Sequence, residues 1–195
     1  MERIHLHEEA RGLVRKERID ENEYGVWKEK FYHDIRRFIG EWEKMDARFS
    51  WALEFYLKLA MDTYEEYQKK GYADKIFDQT FYDITIWCGE CYRKHGVYGL
   101  EELMWLGQSV KMELFRFGRL QFEPIRTEKD RKGKNQLIPA GTKALSVHIP
   151  AGEPLIYEEC QKSFAEARAF FGGEYGVFVC DSWLLSPHLK EILPE

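Results

Sequence analysis

A chain of 195 residues that is 44% hydrophobic and 32% charged can bury a sizeable core, which excludes disorder and makes a disulfide framework unnecessary. A net charge of −5 speaks against a nucleic-acid binder, and no run reaches the roughly 18 apolar residues of a membrane span. The opening MERIHLHEEARGLVRKERID is charged throughout and lacks a signal-peptide core, so a cytoplasmic chain with reduced thiols and neither membrane nor nucleic acid as partner is expected.

From Val26 onward the apolar spacing is helical. In VWKEKFYHDIRRFIGEWEKM, Trp27, Phe31, Phe38 and Trp42 fall on one face of a single predicted helix. Ser50 is the predicted N-cap of SWALEFYLKLAMDTYEEYQKK, with Gly71 just past its end. A third helix is predicted from about Asp74 through Phe77, Phe81, Ile84 and Cys88 to Gly96, and a fourth in LEELMWLGQSVKMELF after a turn at Gly99. Four amphipathic helices in succession imply an antiparallel bundle. CGEC, Cys88 to Cys91, has the spacing of a metal or redox pair; zinc needs four ligands and no second such pair exists, so no metal is assigned and both thiols are expected to pack on a helix face.

After Phe115 the period shortens to two. RLQFEPI sets Leu120, Phe122 and Pro124 on one face and Arg119, Gln121 and Glu123 on the other, which predicts a half-buried strand with its polar residues toward solvent. RTEKDRKGKNQLIPAGT, basic and broken by Gly133, Pro139 and Gly141, is predicted as a long connection whose Arg126, Lys129, Arg131, Lys132 and Lys134 form a solvated basic run. KALSVHIP gives a strand, YEECQKSFAEARAFFGG a helix with Cys160, Phe164, Ala167 and Phe171 in one stripe, and GVFVCDSWLL a strand apolar on both faces. SPHLKEIL opens with Ser186 as N-cap and Pro187 at the first helical position. About three strands are thus expected.

Strand, helix, strand over residues 143 to 184 predicts a βαβ unit with parallel neighbours sharing one C-terminal edge. That edge gathers His148, Pro150, Ala151 and Gly152 from the first strand and Cys180, Asp181 and Ser182 from the second. A cleft mouth is expected there. His148 is the candidate general base, because imidazole titrates near neutrality, and Glu123 is the second candidate, acting through water.

LFRFGRLQFEP, LSVHIPAGEPL, CQKSFAEARAFF and VFVCDSWLLSPHLKEILPE also resemble, in order, successive blocks of a bacterial family of acyltransferases. That family joins a helical N-terminal domain to a GNAT-like C-terminal domain, the fold of the N-acetyltransferases. The resemblance runs from about residue 114 to the end, while residues 1–113 match in position and character. It implies an α/β (α+β) protein: a helical domain, 1–113, then a small mixed-sheet GNAT-like domain with a βαβ unit, 114–195, short or truncated. It further implies that acetyl-CoA or another acyl-CoA lies between two splayed parallel strands, with Ile149, Ala151, Gly152, Cys180 and Ser182 beside it and the pyrophosphate on the backbone of the 150–153 turn. The acceptor would be a small-molecule amine or a peptide, met by Gln121, Asp181 and Trp183.

Two features depart from the wider superfamily. Its phosphate turn is Gly-rich and opened by a basic residue or Gln, whereas this turn is PAGEPL, with two prolines that donate no N–H and an acidic Glu153. Its leaving-group Tyr after the second splayed strand has no counterpart beyond Tyr175. The expected function is an acyl-CoA-dependent N-acyltransferase; the alternative is a non-catalytic ligand-binding or protein-interaction module on the same fold. An unfinished sheet would leave an edge for a homodimer.

Overall fold

The computed structural model describes residues 1–16, 19–132, 137–182, 184, 186 and 188. They divide into two compact units, Met1–Glu113 and Leu114–Glu195. Trp183, Lys134, Gly133 and Pro187 lie outside the described residues, and with them most of the helix expected from Ser186.

The first unit holds six helices among its described residues: α1 Glu8–Val14, α2 Glu21–His33, α3 Ile35–Trp42, α4 Arg48–Lys69, α5 Asp74–His95 and α6 Leu103–Val110. The single helix expected across Trp27 to Trp42 is two, because Asp34 leaves helical geometry (φ −152°, ψ 90°) and its carboxylate accepts from the N–H groups of Arg36 and Arg37. Phe31 and Phe38 are both fully buried, and their rings meet edge to face at 5.7 Å. Phe38 stacks on Phe55 of α4 at 5.3 Å. Burying each such side chain contributes about 1.5–3 kcal/mol. α4 begins at Arg48, two residues before the expected cap, and Ser50 instead donates to the Ala47 carbonyl. α5 runs as expected to a left-handed Gly96, φ 72°. α6 stops at Val110, well short of Phe115.

The second unit carries a four-stranded sheet in the order β1-β2-β5-β6, from β1 Phe115–Phe117, β2 Leu120–Arg126, β5 Lys143–His148 and β6 Val177–Val179. The connection read as irregular contains a two-stranded ribbon, β3 Arg131–Lys132 and β4 Leu137–Ile138. β1 is the strand the sequence reading lacked. β1–β2 and β2–β5 are antiparallel, and β5–β6 is parallel across α7 Tyr157–Phe171, so the βαβ unit is present.

Period-2 alternation divides the sheet into two chemically different faces. One face packs on α7: Phe117 meets Phe170 at 5.2 Å, Phe122 meets Phe164 at 5.6 Å, and Phe164 meets Phe178 at 4.9 Å. The other carries Arg116, Gln121, Glu123, Ser146 and His148. No helix among the described residues is long and apolar enough to cross a membrane.

Candidate active site

Strand register brings the polar residues together. Arg116 pairs with Gln121 and Gln121 with His148, so these three form one row across β1, β2 and β5; Glu123 and Ser146 form the next. Residues opposite one another project side by side, and a diagonal pair remains within reach of long side chains. His148 Nε2 lies 3.0 Å from Glu123 Oε2, with the two side chains 29% and 31% exposed. A carboxylate only accepts, so the imidazole presents Nε2–H to Glu123. A carboxylate beside an imidazole holds the ring in one orientation, an arrangement used in general-base catalysis.

The pair stands where the sheet opens. β2 stays paired with β5 as far as Gln121↔His148, whereas the β5–β6 ladder ends at Ser146↔Val179. Val147 and His148 therefore extend past the last β6 partner, and Cys180 and Asp181 follow β6 outside the ladder.

The other sequence-derived candidates are spread around this opening. Gln121 is 1% exposed, so the expected solvent-facing position is wrong. Its Nε2 is buried with no hydrogen-bond partner among the described residues. Ile149 is half-buried, Ala151 and Gly152 are exposed, and Gly152 has φ 97°, a conformation that favours glycine. Cys180 is half-buried, and burial raises its thiol pKa above the ordinary value. Ser182 accepts from the Leu184 N–H at 3.3 Å. Asp181 is 74% exposed and takes Arg131 Nη1 of β3 at 2.9 and 3.2 Å, so one member of the solvated basic run is bound to it. Arg126, from the same run, donates to the Gly141 carbonyl.

Sequence reasoning missed the structure beneath the 150–156 turn. Gly118, φ 58°, turns β1 into β2, and the next residue's N–H donates to Ser163 Oγ of α7 at 3.0 Å. From this turn Arg119 donates through Nε to the Pro154 carbonyl at 3.0 Å and through Nη2 to the Glu153 carbonyl. Arg116 donates to the Gly118 carbonyl at 2.9 Å and to the Glu153 carboxylate at 3.2 Å. Both arginines are buried, at 4% and 6% exposure. Burial, with Arg116 as the nearest cation, lowers the Arg119 pKa from its ordinary value. Arg119 Nη1 is buried with no partner among the described residues, a state that costs about 1–3 kcal/mol or more for a charged group. The available signal was an Arg on each side of a turn glycine in FRFGRL.

A helical unit followed by a mixed sheet with one βαβ unit and a parallel pair open at its polar end is the architecture of a two-domain acyltransferase. The sequence matches the N-acyltransferase N-terminal domain over residues 1–112 and the GNAT-like C-terminal domain over residues 114–195. The chain belongs to the acyltransferase family that joins these two domains.

Solved structures of similar fold include an acyltransferase in complex with decanoyl-CoA and teicoplanin, at TM-score 0.77 and 24% identity. A second is an acyltransferase tryptophan-to-alanine mutant in complex with octanoyl-CoA, at TM-score 0.77 and 23% identity. Each match covers 100% of this chain and 63% of the other, so the chain spans less than two thirds of their length. At this identity the likeness is one of fold. A search of the curated proteins found no match.

Proposed function

We propose that this chain is an acyl-CoA-dependent N-acyltransferase in which His148 is the general base and Glu123 its orienting partner. The observation that carries this reading is the 3.0 Å His148–Glu123 contact on the polar sheet face, beside the end of the β5–β6 ladder. Membership in the two-domain acyltransferase family and the acyl-CoA bound by neighbours of the same fold support it.

In the proposed reaction, His148 takes a proton from the acceptor amine as the amine nitrogen attacks the thioester carbonyl. A C–N bond forms and the carbonyl electrons collect on oxygen, where a backbone N–H is the usual stabiliser. Collapse breaks the C–S bond, and the thiolate leaves to take up a proton. Glu123 keeps the imidazole in one tautomer and stabilises the imidazolium formed on the way. The acceptor is proposed to be a small-molecule amine or a peptide, with Asp181 and Gln121 near it, and the acyl-CoA to lie along Ile149, Ala151, Gly152, Cys180 and Ser182.

The test measures both binding and turnover. Acyl-CoA at about 100 times its dissociation constant should stabilise the fold by roughly 2.7 kcal/mol. His148→Ala should keep that thermal shift and lower the rate about 10²–10⁴-fold, the usual worth of a general base. Full turnover in His148→Ala would remove the assignment. A shift in the wild type without turnover on any amine would favour the ligand-binding module instead.

A further inference from the structure

The connection between β2 and β5 is rooted at one end of the sheet and tied down at the other. At its root the Thr127 N–H donates to the Thr142 carbonyl at 3.0 Å, the Gly141 N–H to the Thr127 carbonyl at 2.7 Å, and the Thr127 hydroxyl to the Pro139 carbonyl at 2.7 Å. This root adjoins the Arg126↔Lys143 pair, at the end of β5 away from His148. Farther out, Arg131 Nη1 donates to both carboxylate oxygens of Asp181, at 2.9 and 3.2 Å, and Asp181 follows β6 at the opening. Because β5 and β6 are parallel, the two anchor points are about the length of β5 apart, roughly 17 Å at about 3.3 Å per residue. The β3–β4 ribbon thus follows β6 from the closed end of the sheet to the open one.

α7 already covers the aromatic face, where Phe164 meets Phe178, and β5 takes one edge of β6. The ribbon is left with the open side of that strand. Among the described residues no other hydrogen bond or ion pair ties the ribbon beyond its root to the sheet. The Arg131–Asp181 pair is a weak tie, since its side chains are 34% and 74% exposed and an exposed pair shifts an equilibrium by about two- to fivefold. The guanidinium also uses one nitrogen where its fork offers two, and Arg131 Nε has no partner among the described residues. A ribbon with two paired residues on each strand is marginal by itself, so this one pair decides whether it stays down.

Resting on the acyl-CoA reading above, we infer that the β3–β4 ribbon is a strap over the open end of the β5–β6 pair, latched by Arg131 on Asp181, whose release lets acyl-CoA enter and CoA leave. Release also frees the Asp181 carboxylate for the acceptor.

Hydrogen exchange and stopped-flow binding on the full chain test the latch and the gate separately. Arg131→Met and Asp181→Asn should each speed exchange of the β3 and β4 amides about two- to fivefold and leave the α7 amides unchanged. The charge-reversed pair, Arg131→Asp with Asp181→Arg, should restore the protection that each single change removes. A strap that latches alike with and without ligand alters both rates and not their ratio, so decanoyl-CoA should associate and dissociate faster by one common factor, with Kd within twofold. Exchange unchanged in both single variants would overturn the latch. Faster exchange with unaltered binding rates, or a Kd raised through dissociation alone, would overturn the gate. A wild type that binds no acyl-CoA would end the acyltransferase reading and the gate with it, and the exchange result would still decide the latch.

Discussion

Glu123 and His148 sit 25 positions apart in sequence, and only the β2–β5 register makes them neighbours. If Glu123 acts by holding the imidazole, Glu123→Gln should retain the strand and the acyl-CoA KM while kcat falls. An amide offers no charge to stabilise the imidazolium, so a loss of about 10- to 100-fold is expected, smaller than for His148→Ala. Steady-state kinetics on both variants checks this: an unchanged kcat in Glu123→Gln, or a rise confined to KM, would leave Glu123 without a part in the chemistry. His148 could be picked from sequence because few side chains titrate near pH 7 and it stood at a predicted strand end. Arg116 and Arg119 could not. Read by alternation alone, Arg119 belonged on a solvent face, and nothing local shows that a turn 34 residues later folds back over it.

Among the elements, the broken helix at Asp34 shows how a strong period can hide a boundary. Phe31 and Phe38 are seven residues apart, two full helical turns, so the buried face continues in phase through the interruption. Asp34 was nevertheless visible as an N-cap type, and its carboxylate does take the first orphan amides of α3, at 3.1 and 3.0 Å. Asp34→Ala should therefore cost about 0.5–2 kcal/mol. Urea denaturation would show a lower midpoint with an unchanged slope; a more stable variant would mean that α2 and α3 fuse without strain. Elements of low information content were lost for a related reason. β1 has three residues behind a helix-favouring KMEL, too few for alternation to register, whereas α5 and α7 carry complete apolar stripes and were readable.

On the scale of the whole molecule, the fold class and βαβ order were legible because periodicity changes at the unit boundary, from 3.6 to 2. Aromatic content of 15% announced a bulky core, but its cost at high pH emerges only from burial. Burial raises the Tyr56 and Tyr67 phenols above their ordinary pKa, and pushes the Cys88 and Cys91 thiols up to about 12 and about 11. All four groups must stay neutral in the folded unit and can ionise once it opens. Their folded pKa values are raised, so their contribution is complete below the unfolded values, near 9 for thiols and 10 for phenols, and is lost as pH rises from there toward the folded values. Each group can remove up to about 1.4 kcal/mol per pH unit within its window, and several acting together are comparable with a total stability of about 5–15 kcal/mol. Urea midpoints should thus fall steeply above pH 9, with the tyrosinate absorbance of Tyr56 and Tyr67 and the thiol reactivity of Cys88 and Cys91 appearing together with unfolding. Cys88→Ala should flatten the fall between pH 9 and 12 even though the cavity it leaves lowers stability at neutral pH. Free reaction of Cys88 with a thiol reagent at pH 8, in protein that retains its full helical signal, would show that this core is open and remove the basis for the alkaline fall.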